Sequence, residues 1–215
     1  LWLARQSRPP DTTSPLRNLL AAPYRRFVLI TLLMNSAALF AWWGLFTWIP
    51  PYLALPVEQG GRGLTIAASS LWIIVMQAGM WLGYVSFGFI SDALGRRKTY
   101  VAYLLLAAAL VPLYARAEAA WALLILGQLL AFFGTGHFTG FGVITSELFP
   151  TSFRASAMGL TYNFGRALSA AAPWVLGTVA AHRSLGSAFW ISGLAFLTAA
   201  IIALAVPETR GRPLD

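Results

Sequence analysis

One arginine is the only formally charged side chain inside the long apolar stretches of this 215-residue sequence. Arg166 lies twelve residues after Arg154, a separation of about 18 Å along a helix. All seven acidic residues fall in loops or near the ends of the apolar stretches. Because a guanidinium can hold a carboxylate through two parallel hydrogen bonds, Arg166 is the first candidate for contact with an anionic solute.

Four further polar side chains lie inside apolar stretches and are candidates for a binding site. Asn163 lies three residues before Arg166 on the same helix face, where it can position the guanidinium or bond to a solute. His137 can exchange a proton near neutral pH, or it can be a neutral hydrogen-bonding core residue. Asn35 and Gln77 are candidates for hydrogen bonds between helices first and for a cavity second.

The sequence offers no motif for enzyme chemistry. It contains no cysteine, which excludes disulfides and thiolate nucleophiles. It also lacks a recognisable Ser-His-Asp arrangement, paired intramembrane carboxylates, a phosphate-binding loop and separated histidine ligands. We therefore predict that the chain is not an enzyme and that it uses neither a metal nor a cofactor.

The composition indicates a membrane protein. Hydrophobic residues make up 58% of the chain and charged residues only 10%, whereas a soluble domain carries about 25% charged residues. Lipid offers the backbone no hydrogen bonds, so stretches long enough to cross about 30 Å of hydrocarbon must be helical. The six predicted helices within 27–206 are approximately 27–50, 66–90, 100–115, 119–146, 155–181 and 186–206. Residues 1–26 and 207–215 are predicted to lie outside the bilayer.

The position of Arg166 inside a membrane-spanning stretch strengthens it as a candidate functional residue. An arginine near the bilayer centre costs about 2.5–3.5 kcal/mol on insertion scales, so it requires a partner, a wet cavity or a function. Two alternatives to substrate contact remain open, namely an ion pair with an acid outside this segment and extension of the side chain to the membrane surface.

Basic residues indicate the orientation of the chain. With the N-terminal segment in the cytoplasm, eleven Lys and Arg residues lie on the cytoplasmic side, and three, Arg62, Arg116 and Arg183, lie on the other. The positive-inside rule therefore predicts cytoplasmic termini for this segment, in a bacterial-type inner or plasma membrane. This placement accounts for the net charge of +8 and argues against a nucleic-acid partner.

The order of the helices indicates an internal repeat. Six helices divide into two triplets of opposite orientation, with polar residues in the first and second helix of each triplet. Such inverted three-helix repeats with a site near the midplane are a transporter architecture. The G-x-x-x-G pairs at Gly79/Gly83 and Gly136/Gly140 predict close helix packing. Pro112 and Pro173 predict kinks, and Trp42, Trp43 and Trp48 predict an interfacial belt.

A charged motif lies between the second and third predicted helices. The segment GFISDALGRRK places Gly88, Asp92, Gly95, Arg96 and Arg97 at G-x-x-x-D-x-x-G-R-R spacing. The first glycine can allow close helix approach, the aspartate can cap a neighbouring helix, and the arginines can pair with carboxylates or lipid phosphates. The segment resembles the loop motif of the major facilitator superfamily, in its second, C-terminal copy.

Two further segments agree with this resemblance. ELFPTSFRASAMG follows the fourth helix and PETRGRPL follows the sixth, and both resemble the sugar-porter and organic-ion-transporter branches of the superfamily. The resemblance implies that Arg96, Glu147, Arg154 and Glu208 form a cytoplasmic charge network that closes an inner gate. The alternative is that these charges only anchor helix ends.

The opening LWLARQ is similar to the central loop of such transporters. The resemblance therefore implies that residues 1–26 are the remnant of that loop and that the chain comprises helices seven to twelve of a twelve-helix secondary transporter. The expected partners are a small-molecule substrate, the lipid bilayer and an N-terminal six-helix half.

The resemblance also bears on the substrate. The stretches LMNSAALFAWWG and TGFGVITSELFP lack the paired glutamines and the G-P-x-x-W segment typical of sugar porters. The stretch MGLTYNFGRALSAAAP is similar to organic-acid symporters of the sialic acid and lactate type, which implies proton-coupled transport of an organic anion. The alternatives are a sugar or polyol transporter and, from another class, a transport-incompetent fragment or an interaction partner of a separate half.

Overall fold

The computed structural model describes Leu19 and residues 21–211, and within this range it contains helices and no strands. The helices are α1 (Ala22–Ala54), α2 (Ile66–Leu94), α3 (Arg96–Arg116), α4 (Ala120–Leu148), α5 (Arg154–Ser169), α6 (Ala172–His182) and α7 (Leu185–Ala203), with a short 3-10 helix at Val57–Gln59. Five of them, α1 to α4 and α7, are long and apolar enough to cross a membrane. The predicted all-α membrane bundle is therefore confirmed. Most of 1–26 and residues 212–215 lie outside the described residues.

The fifth predicted span is divided into two helices. Pro173 has no N–H to donate to the carbonyl of Ser169, so the helical ladder loses a hydrogen bond there. The amide of Ala171 bonds to the carbonyl of Leu168, three residues back, at 3.3 Å. The amide of Ala170 is shared between the carbonyls of Arg166 at 3.2 Å and Ala167 at 3.3 Å. Pro173 then lies in the first turn of α6, where a missing N–H costs nothing. The proline predicted to kink the helix thus interrupts its regular α-helical hydrogen bonding at Ala170 and Ala171, whose backbone angles stay in the helical region.

The first helix extends beyond its predicted end. We expected it to stop near Pro50, but α1 continues through Pro50 and Pro51 to Ala54. The amide of Leu55 then bonds to the carbonyl of Pro51 at 2.8 Å and closes the last turn. The two prolines leave the carbonyls of Phe46 and Thr47 without their helical donors, about two turns before the helix end.

Contacts between helices repeat from the first triplet to the second. Helix α1 packs along α5 and α6, and α4 packs in the same way along α2. Helix α3 packs against α4, as α7 packs against α1, and α3 and α7 pack on each other. Exchanging α1–α3 with α4–α7 reproduces this pattern of contacts. Because each triplet crosses the membrane an odd number of times, the second triplet begins on the opposite side and has the reverse orientation. This is the predicted pair of inverted repeats.

Polar side chains and glycines hold α2 against α4. Gln128 and Thr139 of α4 donate to backbone carbonyls of α2, the threonine at 3.2 Å. The hydroxyl of Thr135 donates at 2.7 Å within its own helix and lies 3.3 Å from a further α2 carbonyl. At Gly79, a Cβ would stand 2.7 Å from the carbonyl oxygen of Gln128. The glycine therefore permits the close backbone approach that these hydrogen bonds require, as its G-x-x-x-G pair with Gly83 predicted.

The loop after α1 is fastened to the end of α3. Arg62 and Tyr52 both donate to the carbonyl of Ala115, each at 2.8 Å. The Arg62 guanidinium carbon also lies 4.7 Å from the centre of the Tyr52 ring. These contacts satisfy a carbonyl at the α3 terminus, where the helix itself provides no donor.

Two glycines of α4 provide a test of this packing. Gly140→Ala would place a Cβ 2.5 Å from ring atoms of both Phe87 and Tyr100, so we expect it to destabilise the fold by about 1–3 kcal/mol. Gly142→Ala is the matched control, because no atom of the described residues lies within 4 Å of its Cβ position. Thermal unfolding of the purified protein should show a lower Tm for the first variant only. Equal Tm values for the two variants would contradict the packing.

Candidate functional site

Arg166 lies in the last turn of α5, on an exposed face of that helix. Its guanidinium carbon lies 5.5 Å from the centre of the Trp43 ring of α1. Among the described residues, the guanidinium forms neither an ion pair nor a hydrogen bond. The cation–π contact places the guanidinium beside the indole ring and leaves its N–H groups free for a ligand.

The break between α5 and α6 forms a cleft beside this arginine. The cleft has a volume of about 170 Å³, and it is lined by Trp43, Arg166, Ser169, Ala170 and Pro173. The indole N–H of Trp48 donates to the carbonyl of Pro173 at 2.9 Å and ties the start of α6 to α1. A helix N-terminus carries a partial positive charge. The cleft thus combines a cation, a positive helix end and a flat aromatic wall, which together favour an anion.

Asn163 shares the exposed face of α5 with Arg166 but does not touch it. Its amide nitrogen donates to the carbonyl of Gly159 in the same helix, at 2.8 Å. Its role in binding a solute stays a prediction.

The other three predicted site residues lie away from the cleft. Asn35 is buried and donates to the carbonyl of Thr161 at 3.3 Å, a hydrogen bond between helices. His137 is fully buried, donates through Nδ1 to the carbonyl of Gly134 at 2.7 Å, and stacks on Phe138. Gln77 is exposed on α2 and makes no hydrogen bond with the described residues. Within these residues, the structure brings none of the three to Arg166.

The end of the bundle where α2 joins α3 carries a cluster of charges. We call Asp92, Arg96, Glu147, Glu208 and Thr209 the charged end. The Arg96 guanidinium pairs with Asp92 and donates to Glu147 at 3.2 Å. The hydroxyl of Thr209 donates to the other oxygen of Glu147. The segment after α7 is therefore bound to α3 and α4, and the role of these charges in an inner gate stays a prediction.

Glu208 caps the N-terminus of α3. Its Oε1 accepts hydrogen bonds at 2.7–3.4 Å from the backbone amides of Arg96, Arg97, Thr209 and Arg210. Burial alone would raise the pKa of this carboxyl, but the four amides outweigh burial and hold its pKa below the ordinary value. Gly95 has a φ of +105°, and a Cβ there would lie 2.7 Å from Oε2 of Glu208. A glycine is therefore required for both its backbone conformation and the approach of the carboxylate.

This assignment corrects the capping role expected for Asp92. Asp92 and Arg96 are four residues apart across the α2–α3 junction, so they pair with each other instead. Arg154 donates to the carbonyl of Phe149 at 3.1 Å and makes no ion pair with the described carboxylates. At Gly88, no described atom lies within 4 Å of a Cβ position, so its expected close helix approach does not occur within the described residues.

The tryptophans of α1 differ from the expected interfacial belt. Trp42 is only 3% exposed and stacks on Phe46 inside the bundle. Trp43 lines the Arg166 cleft, and Trp48 bonds to α6. The belt interpretation is wrong for Trp42, because an apolar helix carries no sequence signal for the side that faces its neighbours. The role of Trp43 was missed for the same reason.

Comparison with known proteins identifies the family. The model of the Major Facilitator Superfamily matches residues 31–214. The chain belongs to this superfamily. It is 31% identical over 178 residues to the cis,cis-muconate transport protein of Acinetobacter baylyi, which covers 81% of this chain and 41% of that protein. It is 28% identical over 201 residues to the niacin transporter NiaP of the same species, which covers 93% and 44%. The superfamily segment thus spans less than half the length of these curated relatives.

Solved structures support the fold of this superfamily member. The peptide transporter POT in complex with sulfate matches with a TM-score of 0.74 at 17% identity, over 83% of this chain and 37% of that chain. The Escherichia coli fucose:proton symporter FucP matches with a TM-score of 0.68 at 19% identity, over 94% and 48%. The predicted integral membrane protein of this superfamily is confirmed. Its relatives are transporters, which also confirms that it is not an enzyme.

The cap on α3 gives a pH-dependent prediction. Because the folded-state pKa of Glu208 lies below its ordinary value of 4.5, the carboxylate contributes stability above that pH and loses it as the pH falls through the folded value. For Glu208→Gln at pH 7, we expect hydrogen exchange at 96–97 to be roughly two- to fivefold faster, which corresponds to about 0.3–1 kcal/mol at a helix N-terminus.

The difference between the variant and the wild type should shrink at strongly acidic pH, where the wild-type carboxyl is also protonated. Glu58→Gln, in the exposed 3-10 helix, is the matched control and should exchange like the wild type. Equal exchange of Glu208→Gln and wild type at pH 7 would contradict the capping role.

Proposed function

We propose that this chain forms one six-helix half of a secondary transporter for a small organic anion and that the Arg166 cleft binds the carboxylate of its substrate. The observation that carries this proposal is a guanidinium without an ion-pair partner among the described residues, at a helix break. Broken helices whose N-termini face anionic groups are a recurrent device of transporters.

Electrostatics favour an anion over a sugar in this cleft. Arg166 lies about 18 Å along α5 from Arg154, near the middle of a bilayer of about 30 Å. A charge at this depth is costly unless it is hydrated or neutralised. A carboxylate neutralises the guanidinium and accepts two hydrogen bonds, whereas hydroxyl groups of a sugar cannot remove the charge. We therefore place the organic anion ahead of the sugar or polyol alternative.

Trp43 narrows the class of anion. Its indole ring forms the wall of the cleft beside Arg166, and an aromatic wall favours a planar, conjugated substrate by offset stacking. Two relatives are named for transport of cis,cis-muconate and niacin, both conjugated carboxylates. We propose that the substrate is a carboxylate of this planar kind.

Membership of the superfamily supports three further parts of the proposal. We propose that the charged end faces the cytoplasm, with both ends of this segment on that side, and that it closes against an N-terminal half during alternating access. We further propose proton symport. The described helices carry carboxylates only at their ends, so the coupling proton would bind His137, a group of the other half or the substrate carboxylate itself.

Arg166→Gln tests the proposed anion site. In vesicles carrying the whole transporter, we expect the KM for labelled conjugated carboxylates to rise at least about tenfold, because a charge-assisted hydrogen bond contributes about 1.5–3 kcal/mol. Arg166→Lys should retain part of the uptake, because the lysine ammonium keeps the positive charge but cannot form the two parallel hydrogen bonds of a guanidinium. Arg183→Gln, an exposed arginine in the loop before α7, is the matched control.

Unchanged anion uptake by Arg166→Gln would reject the site, and uptake of sugars alone would support the alternative substrate class. A protonophore should abolish accumulation if transport is coupled to protons. Transport by residues 1–215 alone would reject the proposal that the chain is one half.

Trp43→Leu tests the preference for planar substrates. We expect it to raise the KM for conjugated carboxylates roughly two- to tenfold more than the KM for saturated ones, because ring stacking contributes about 0.5–1.5 kcal/mol. Trp121→Leu, at a tryptophan that is 70% exposed at the start of α4, is the matched control. An equal effect of Trp43→Leu on both substrate types would contradict the stacking role.

A further inference from the structure

A groove of about 290 Å³ lies between α3 and α7, and it shares no residue with the Arg166 cleft. Small residues, Ala108, Ala109 and Gly193, line it together with exposed leucines at 105, 194 and 197. Trp190 and Pro112 lie at one end of it. The lining is almost wholly apolar, so the groove suits a hydrocarbon chain.

The packing of the two helices explains the groove. Helices α3 and α7 run antiparallel, because Gly193 contacts Ala108 and Val111 while Gly186 contacts Ala115. A Cβ at Gly193 would lie 3.5 Å from the carbonyl oxygen of Ala108. Pro112 lacks the N–H that would bond to this carbonyl. The missing side chain of Gly193 and the small residues of α3 thus leave a channel along a tight helix pair.

The length of α3 places the groove in one leaflet. The helix runs from Arg96 to Arg116, and twenty steps of 1.5 Å give about 30 Å, the thickness of the hydrocarbon core. Arg116 therefore lies at the level of the lipid headgroups. The groove begins about 6 Å deeper, at Pro112, and runs a further 10 Å or so to Leu105. A phospholipid has this order of parts, with a charged headgroup above its acyl chains.

Arg116 supplies a charge at the mouth of the groove. Its guanidinium carbon lies 4.9 Å from the centre of the Trp190 ring. The guanidinium forms no ion pair with the described residues, including the nearby exposed Glu118. Its N–H groups are therefore available for a phosphate, which Arg binds with matching geometry. Trp190 is 41% exposed beside it, as expected of an aromatic residue at the membrane interface.

We propose that the α3–α7 groove binds an anionic glycerophospholipid, whose phosphate contacts Arg116 and one acyl chain of which lies along the groove. The charge of Arg116 selects the headgroup, and the apolar lining selects the chain. This site is independent of the proposed transport function, because it lies on different helices from the Arg166 cleft.

Native mass spectrometry of the purified protein tests the site by titration with phosphatidylglycerol. Arg116→Gln, which removes the headgroup contact, and Ala109→Phe, which fills the groove, should each weaken the tightest lipid-binding event about tenfold. The matched controls are Arg183→Gln at the same end of the bundle and Leu106→Phe on an exposed position of α3. Phosphatidylcholine should bind more weakly, and glycerol 3-phosphate, which has no acyl chain, should not compete.

A second measurement locates the acyl chain. Phosphatidylglycerol with brominated chains should quench tryptophan fluorescence, and Trp190→Phe should remove part of that quenching. Wild-type binding by either Arg116→Gln or Ala109→Phe would overturn the proposal, as would equal quenching with and without Trp190. A dimer whose formation protects the groove from lipid would also overturn it, because the occupant would then be a second copy of the chain.

Discussion

Hydrocarbon provides no hydrogen-bond partner, and this constraint shapes the contacts that polar groups make inside the bundle. Side chains in the helices therefore bond to backbone carbonyls of their neighbours, as Gln128 does to α2 and Asn35 does to α5. The guanidinium of Arg166 is different, because among the described residues it has an aromatic ring beside it but no acceptor. An unpaired charge inside the membrane is energetically costly, so the arginine indicates a binding site.

The Arg166 cleft arises from a departure from the internal repeat. Helix α2 runs unbroken from Ile66 to Leu94, whereas its counterpart in the second triplet is interrupted before Pro173. The interruption gives the second triplet a helix N-terminus within the membrane, next to a cation. The helix packing is thus common to both triplets, whereas among the described residues the helix break beside a cation occurs in the second triplet.

The charged end contains both a local ion pair and a long-range helix cap. Asp92 and Arg96 pair because four residues separate them. Glu208 reaches the same helix end from 112 residues away in sequence and satisfies the amides there. The C-terminal segment is therefore part of the helix-end structure of α3, and its carboxylate does the capping that the motif suggested for the aspartate.

The sequence alone determined the membrane class, the approximate spans, the inverted repeat, the superfamily and the isolation of Arg166, because apolar length, charge position and short motifs are properties of neighbouring residues. Only the tertiary structure decided that Trp43 lies beside that arginine, that His137 is buried against Phe138, and that Glu208 rather than Asp92 caps α3. These pairings depend on the rotation of each helix about its axis. A helix that is apolar on all sides carries almost no periodic signal for that rotation, so packing had to settle it.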